Sequence, residues 1–397
     1  MIKSKKPTKA LGRRLGRATA AVPAAALLAA ISCWTCPAQA QNPNAAEQRG
    51  TIYGSAAQTN FQNVTLMYNI LRRNVRNDEE LGSPFYADDF ADAGSFNPDI
   101  RLVDYLPDGR TQIVPVQTTG MRSRRVWNSW VTGYGSGNES DDPIGFYGAG
   151  GTILSLYRDL NEVWKLGGFG AYNYVSLRDE QPAQRSQQNS VQLGSYLRGD
   201  DGTNHLLWAT ATGFDNYETS REIGFVGTPP RASGDHGGSQ FSSYFEYGRQ
   251  IPIWRVDFEP YAALQYIRSR QDPFTETGAG AFNLQVGGID ADSVRSILGG
   301  RLLFDLFSWV GKPVRPELHL AWIHDFQDEA TSFNSRFTGN GIGFATSGAD
   351  FGRDWGLLGF GLNFALTDRI LLAGHYDLLA NDWAFIHMGS ATMQVRW

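Results

Sequence analysis

Ile386-His387-Met388-Gly389-Ser390-Ala391-Thr392-Met393-Gln394-Val395-Arg396-Trp397 closes the chain. Trp397, Val395, Met393, Ala391 and Gly389 fall on one side of a two-residue repeat, and Arg396, Gln394, Thr392 and Ser390 fall on the other. A period of two is that of a β-strand, here with one apolar and one polar face. Such a strand suits the edge of a soluble sheet or the wall of a barrel whose outside meets hydrocarbon and whose inside is wet. An aromatic at the very end favours the second, because aromatics gather at membrane interfaces.

Working back from this tail, twelve segments of roughly barrel-strand length follow one another. They lie near 124–136, 145–158, 163–178, 188–199, 203–216, 238–249, 253–270, 292–306, 314–327, 351–366, 369–380 and 386–397. Connections after even-numbered segments are short and rich in turn formers: Arg158 to Glu162, Asp200-Asp201-Gly202, Gln250-Ile251-Pro252 and Thr367-Asp368. Those after odd-numbered segments are longer and polar, notably 217–237, 271–291 and 328–350. The pattern predicts an all-β fold, a twelve-stranded antiparallel transmembrane β-barrel with a short N-terminal segment containing one helix. An even count returns both barrel ends to the side of the short turns.

The seventh segment sets inside against outside. Trp254, Val256, Phe258, Pro260, Ala262, Leu264 and Tyr266 share one face, opposite Arg255, Asp257, Glu259, Tyr261 and Gln265. Charged groups facing lipid near the midplane cost about 2–4 kcal/mol each, so the second set is expected in the lumen. Pro260 lacks an N–H and predicts a bulge or a weak ladder position.

At the other end, Lys3, Lys5, Lys6, Lys9, Arg13, Arg14 and Arg17 precede the apolar run Ala20 to Trp34 and then Ala38-Gln39-Ala40. This reads as a secretory signal peptide over 1–40, cut before Gln41. Both cysteines, Cys33 and Cys36, lie within it, so the processed chain is expected to form no disulfide. Removing seven of 35 basic groups leaves 28 against 40 acids, a net charge of −12, which argues against a nucleic-acid partner. Aromatics at 13%, 45 glycines and only 19% charged residues suit a barrel better than a large soluble enzyme.

Glu259-Pro260-Tyr261-Ala262-Ala263-Leu264, Phe274-Thr275-Glu276-Thr277-Gly278, Asp292 through Leu302, Leu320-Ala321-Trp322-Ile323-His324 and the terminal aromatic together resemble the autotransporter β-domain of type V secretion in Gram-negative bacteria. The resemblance implies a translocator and anchor in the cell outer membrane that exports or holds its own N-terminal segment. It further implies outer-membrane lipid, periplasmic chaperones and the barrel-assembly machinery as partners, with Met393, Val395 and Trp397 as the C-terminal assembly signal, and a monomeric barrel without cofactors. The organisation expected is 1–40 signal peptide, 41–120 short passenger, plug or linker, and 121–397 barrel.

The family's lumen helix has one counterpart here, an amphipathic stretch from about Gln58 to Leu81 with Phe61, Val64, Tyr68, Leu71 and Val75 on one side and Thr59 to Gln62 as a capping box. It stands some way upstream of the first strand, across an expected hairpin of Ile100–Leu106, Pro107-Asp108-Gly109 and Arg110–Val116, so its place in the lumen stays open. The departure from the family lies in the passenger: the region after the signal has no tandem repeats and falls far short of a β-helical domain, which needs at least three stacked repeats. A plug or a vestigial passenger is preferred to a secreted catalytic one.

None of His205, His236, His319, His324, His375 and His387 lies in a Gly-x-Ser-x-Gly elbow or in a paired metal spacing. His319 and His324 are expected on opposite faces of one strand. Asp325 beside His324, and Asp377 near His375, are candidate His–Asp pairs, for which a structural role outweighs a catalytic one. Self-cleavage is not expected, since no Asn pair precedes Arg124. Asp200-Asp201-Gly202 and Asp141-Asp142 lack the ligand pattern of a calcium loop. The expectation is a non-enzymatic translocator; the alternatives are an outer-membrane enzyme with a rim active site and a passive pore.

Overall fold

The structure, a computed structural model, describes residues 50–82, 102–105, 111–114, 127–139, 146–161, 163–180, 183–223, 231–304, 307–309, 312–327, 330–367, 369–382 and 384–397. The expected signal peptide lies outside them. Twelve strands make the wall: β1 (Trp127–Glu139), β2 (Phe146–Asp159), β3 (Trp164–Glu180), β4 (Ala183–Asp200), β5 (Asn204–Glu222), β6 (Arg231–Arg249), β7 (Val256–Gln271), β8 (Ile289–Phe304), β9 (Lys312–Asp325), β10 (Asp354–Thr367), β11 (Ile370–Ala380) and β12 (Phe385–Arg396). Each pairs antiparallel with the next, and β12 pairs with β1 from Arg396↔Asn128 to Phe385↔Glu139, which closes the barrel and leaves it no free edge. The backbone N–H of Trp397 reaches the Trp127 carbonyl at 3.0 Å, so both ends of the barrel meet at the short-turn end.

Alternation settles inside and outside as the tail suggested. Ala391, Met393 and Trp397 are exposed on the outer wall, while Thr392 and Gln394 are buried. Around the barrel the outward rows carry Leu154, Leu156, Leu193, Trp208, Phe245, Leu264, Leu298, Phe360 and Leu362, all exposed, as a lipid-facing wall requires. Where β1 meets β12 that wall is thin: Gly135 faces Gly389 and Gly133 faces Ala391. An open dent of about 910 Å³ follows there, lined by these residues with Gly374, Phe360 and Tyr376.

Side-chain oxygens build several of the short turns. Asn161 Oδ1 accepts from the N–H groups of Val163 and Trp164 at 2.9 and 2.7 Å. Asp201 Oδ1 accepts from Thr203 and Asn204 at 2.9 and 2.6 Å beside Gly202, whose φ of 82° needs glycine. Thr367 Oγ1 takes the N–H of Ile370 at 3.0 Å.

Three expectations change. The stretch 217–237 is mostly strand, since β5 runs to Glu222 and β6 begins at Arg231. It looked like loop because its outward residues there, such as Glu218, Ser220, Ser233 and Asp235, stand beyond the hydrocarbon and carry no apolar contrast. Likewise 271–291 and 328–350 contain Phe274–Thr275, Leu284–Val286, Ser332–Phe337 and Gly343–Ser347, which pair into a small four-stranded sheet, here termed the cap. Pro260 makes no bulge: β7 and β8 stay in register through Pro260↔Gly300, and the ladder to β6 starts one residue later at Tyr261.

The N-terminal helix α1 (Thr51–Gly82) is followed by two short strands, Leu102–Tyr105 and Thr111–Val114, paired antiparallel where a hairpin was expected. The helix starts seven residues earlier than the sequence suggested. Thr59, read as a cap, lies inside it, its hydroxyl donating to the Ser55 carbonyl at 2.8 Å.

Candidate functional site: the barrel lumen and its helix

The helix pattern gave one apolar side, yet from Ile52 to Arg76 every face of α1 is buried apart from partial exposure at Gln58. Its polar side carries Asn60, Thr65, Asn69, Arg72, Arg73, Asn74 and Arg76, and these meet inward polar residues of several wall strands. Asn60 donates to Gln240 on β6 at 3.0 Å, Thr65 to Gln265 on β7 at 2.8 Å, and Asn74 to Thr132 on β1 at 2.8 Å. Tyr68 stacks on Tyr244 with centroids 5.2 Å apart and shares a 2.9 Å hydrogen bond with Ser242. Partners on β1, β6, β7, β8, β9 and β11 place the helix inside the barrel, the position the sequence reading left open.

Three arginines fix its lower half. Arg73 forks onto Asp377 of β11 with two bonds of 2.7 and 2.8 Å, both side chains buried. Arg76 bridges Glu259 of β7 at 2.5 Å and Asp200 of β4 at 2.6 Å, and Asp200 also takes Arg198 at 2.7 Å. Arg72 lies over the Tyr261 ring at 4.6 Å, 3.8 Å from Glu246 and 3.1 Å from His319. Charges withdrawn from water persist only when paired and hydrogen-bonded, and the wall supplies an acid for each of these arginines.

At the other end the cap holds the first turn. Tyr53 donates to Glu276 at 2.5 Å, and Arg221 clasps the same carboxylate at 2.8 and 2.6 Å. Here burial first, then the Glu276 charge, holds the Tyr53 hydroxyl protonated well above its ordinary range. Phe274 meets the Tyr53 ring edge-on at 5.2 Å. Ala349 donates its N–H to Ser55 at 2.9 Å, and Gly54 abuts Gly348 so closely that a Cβ on Gly54 would lie 2.7 Å from the Gly348 nitrogen. The helix therefore enters with its N-terminal end at the loop end and leaves toward the short turns.

Of the row expected in the lumen, Glu259, Tyr261 and Gln265 are buried there against Arg76, Arg72 and Thr65. Asp257 is half-buried and pairs with Arg315 at 2.9 Å. Arg255 is a correction: it precedes the strand in an exposed turn with Trp254, whose φ of 57° breaks the alternation. His319 faces inward and His324 outward, where it meets Asp354 at 2.8 Å. The candidate His–Asp pairs do not form: Asp325 binds Arg295 at 2.9 Å, Asp377 is taken by Arg73, and His375 lies 3.4 Å from Glu317.

Sequence reading missed the arginines of α1 and their acids. The signal was present in Arg72-Arg73 and Arg76 on a helix studded with asparagine, set against lone inward acids in β4, β6, β7 and β11. It also missed His205, Glu246 and Glu259, whose ligand atoms lie within 4.8 Å of one another, a metal-like cluster among the described residues. Its carboxylates are already committed to Arg72 and Arg76, so a dication would enter a site whose charge is balanced.

The wall is thus closed and twelve-stranded, and an N-terminal helix threads it. The family model described as Autotransporter beta-domain matches residues 126–377. This chain belongs to that family. Among solved structures it is similar to the translocator domain of the autotransporter NalP from Neisseria meningitidis, with a TM-score of 0.56 at 15% identity over 69% of this chain and 88% of that one. It is also similar to the β-domain of the Bordetella autotransporter BrkA, with a TM-score of 0.51 at 17% identity over 68% of this chain and 98% of that one. No curated protein matches. The autotransporter barrel is thus an outer-membrane barrel, and its lipid-facing wall and polar lumen follow from that setting.

Proposed function

We propose that this autotransporter carries its own N-terminal segment across the outer membrane and then keeps α1 as a permanent plug, so that the mature protein is a sealed anchor without enzymatic activity. One observation carries the reading: α1 fills the lumen and is pinned at both ends, by the cap above and by Arg72, Arg73 and Arg76 below. A pore lined by acids and occupied by a helix bearing the matching cations is neutralised and obstructed together.

Residues 41–120 are assigned as a short N-terminal plug or linker region and 121–397 as the barrel. Delivery by periplasmic chaperones, insertion by the barrel-assembly machinery through Met393, Val395 and Trp397, and a monomeric state belong to the same reading.

The test is an epitope at residue 45 and a second within 225–232, probed on intact cells by antibody and by protease. Exposure of the loop tag, with the residue-45 tag retained on the cell after proteolysis of the loops, supports a sealed anchor. Release of the residue-45 tag into the medium would overturn it.

A further inference from the structure

Several short turns are tied by the side-chain oxygens of Asn161, Asp201 and Thr367. The turn from β6 to β7 is made of different residues, Ile251-Pro252-Ile253-Trp254-Arg255. Ile251–Ile253 folds back on the start of β7 as a narrow hairpin, with Ile253 opposite Val256 and Ile251 opposite Phe258. Directly opposed residues of an antiparallel pair point to the same face, and Phe258 belongs to the outward row, so both exposed isoleucines continue that row. At the tip stands Trp254, 94% exposed with a φ of 57°, the one non-glycine residue with a positive φ among the described residues. That conformation strains a bulky side chain, and hairpin tips ordinarily fill it with Gly, Asn or Asp. Within the chain the indole gains little in return: its ring contact is the Arg255 guanidinium, 6.0 Å from the centroid.

Height places this tip. On β7 the outward row runs Val256, Phe258, Pro260, Ala262, Leu264 and Tyr266 before it turns charged at Arg268 and Arg270, which pair with Asp290 and Asp292. A strand rising about 3.3 Å per residue and tilted by about 40° climbs roughly 2.5 Å per residue along the membrane normal, so an apolar band about 25 Å tall takes roughly ten residues. Counted down from Tyr266, the band ends at Val256. Trp254 then lies roughly 5 Å beyond it, inside a headgroup layer about 5–7 Å deep.

We propose that the turn from Ile251 to Arg255 is a lipid-binding foot, with Trp254 seated among the headgroups and ester carbonyls of glycerophospholipids in the leaflet on the short-turn side. An indole suits that layer, since its body is apolar and its N–H donates to carbonyl or phosphate oxygens. The occupant is a lipid because Ile251 and Ile253 carry on the outward row that already faces hydrocarbon, so the surface is continuous with the membrane-facing wall. The strain at Trp254 is then offset by the interface and not within the fold.

Full-length protein carrying Cys33→Ser/Cys36→Ser has no thiol of its own, so one introduced cysteine takes an environment-sensitive fluorophore. Trp254→Cys is compared in phosphatidylcholine–phosphatidylglycerol vesicles with Leu264→Cys on the lipid-facing wall and with Ile342→Cys, exposed in the cap. Iodide, present on both sides of the membrane, is expected to quench the label at 254 several-fold less than that at 342. Lipids with a nitroxide at the headgroup are expected to quench 254 more than those with a nitroxide deep in the acyl chain, and the order is expected to reverse at 264. Without any label, the emission of the parent minus that of Trp254→Phe is expected to be blue-shifted from tryptophan in water and quenched by the same headgroup nitroxide. Heat-modifiability on gels verifies that each variant is folded. Iodide reaching 254 as freely as 342 would overturn the proposal and leave the indole to a soluble partner; strongest quenching by the deep nitroxide would overturn it by placing the turn within the hydrocarbon.

Discussion

Replacing Arg73 by Met tests whether ion pairing holds the plug. Asp377 is fully buried and its two oxygens accept both Arg73 bonds; besides these it has the Asn69 amide at 3.3 Å. Removing the guanidinium leaves a carboxylate sealed against an apolar thioether, and breaking a buried pair in this way costs about 3–5 kcal/mol. At about 1.4 kcal/mol per decade, the docked helix loses on the order of a hundred- to several-thousand-fold in occupancy relative to an undocked one. Removing both charges together, as Arg73→Met/Asp377→Leu, leaves no orphan and is expected to fall within about 1 kcal/mol of the parent. Single-channel recording in planar bilayers reads the outcome: closed traces for the parent, open events for the single variant, closed traces again for the double variant. Thermal melting, followed by heat-modifiability, should rank the three in the same order. A single variant as closed and as stable as the parent, or a double variant as leaky as the single one, refutes the claim that this pair retains the helix.

Further outcomes concern the cap, the closing strand and the acid cluster. Gly54→Val forces a side chain against the Gly348 backbone, and overpacking of this kind costs about 1–3 kcal/mol; protease should then cut the cap loops faster on intact cells, with the barrel still heat-modifiable. His236, in the part of β6 above the lipid-facing Phe241, stacks between Tyr217 and Phe274 at 4.9 and 4.1 Å, and burial there lowers its pKa below 6.5, against a raising bond to Gln271. An opened cap therefore binds more protons than a closed one, so closure is fully favoured above about pH 6.5 and weakens as pH falls through the lowered value. Protection factors of the cap strands, with the base-catalysed intrinsic exchange rate divided out, should fall between pH 7.5 and 5, and His236→Phe should flatten that dependence. Trp397→Ala removes an indole that donates to Ser129 at 3.1 Å beside the closing pair, and pulse-chase should show slower appearance of folded barrel, with little change in the melting of what has folded. A chelator should leave the melting temperature unchanged, since Arg72 and Arg76 already neutralise Glu246 and Glu259.

What the sequence made legible tracks where the solvent changes. Wall strands crossing hydrocarbon must alternate, so β7 and β12 could be read residue by residue, and turns written in Asn, Asp, Gly and Thr could be placed because their side chains make the turn. Above the membrane that contrast fades. Glu218 and Asp235 face water from a strand as they would from a loop, which is why β5 and β6 were drawn too short. The lumen was half legible for a different reason. Periodicity marks a helix that buries one side, but α1 buries its polar side too, against a polar wall. The pairing of Arg73 with Asp377 joins residues some 300 positions apart, and no local pattern encodes it. Arg255 misled because alternation was carried through Trp254, where the backbone turns.

Gly135 against Gly389 has a consequence for mechanical strength. Along most of the wall, neighbouring strands are joined twice, by the ladder and by side chains interlocking across it. At this meeting of first and last strands the second fastening is missing from the outer surface around Gly135 and Gly133, and side chains join the two strands only elsewhere, by the Thr132 and Thr392 hydroxyls at 2.7 Å on the lumen side and the Trp397 indole on Ser129 at 3.1 Å. A barrel stretched from within would be expected to yield early along the side-chain-poor stretch of this line, and a disulfide drawn across it, as in Gly135→Cys/Gly389→Cys, would be a short stitch to hold it shut.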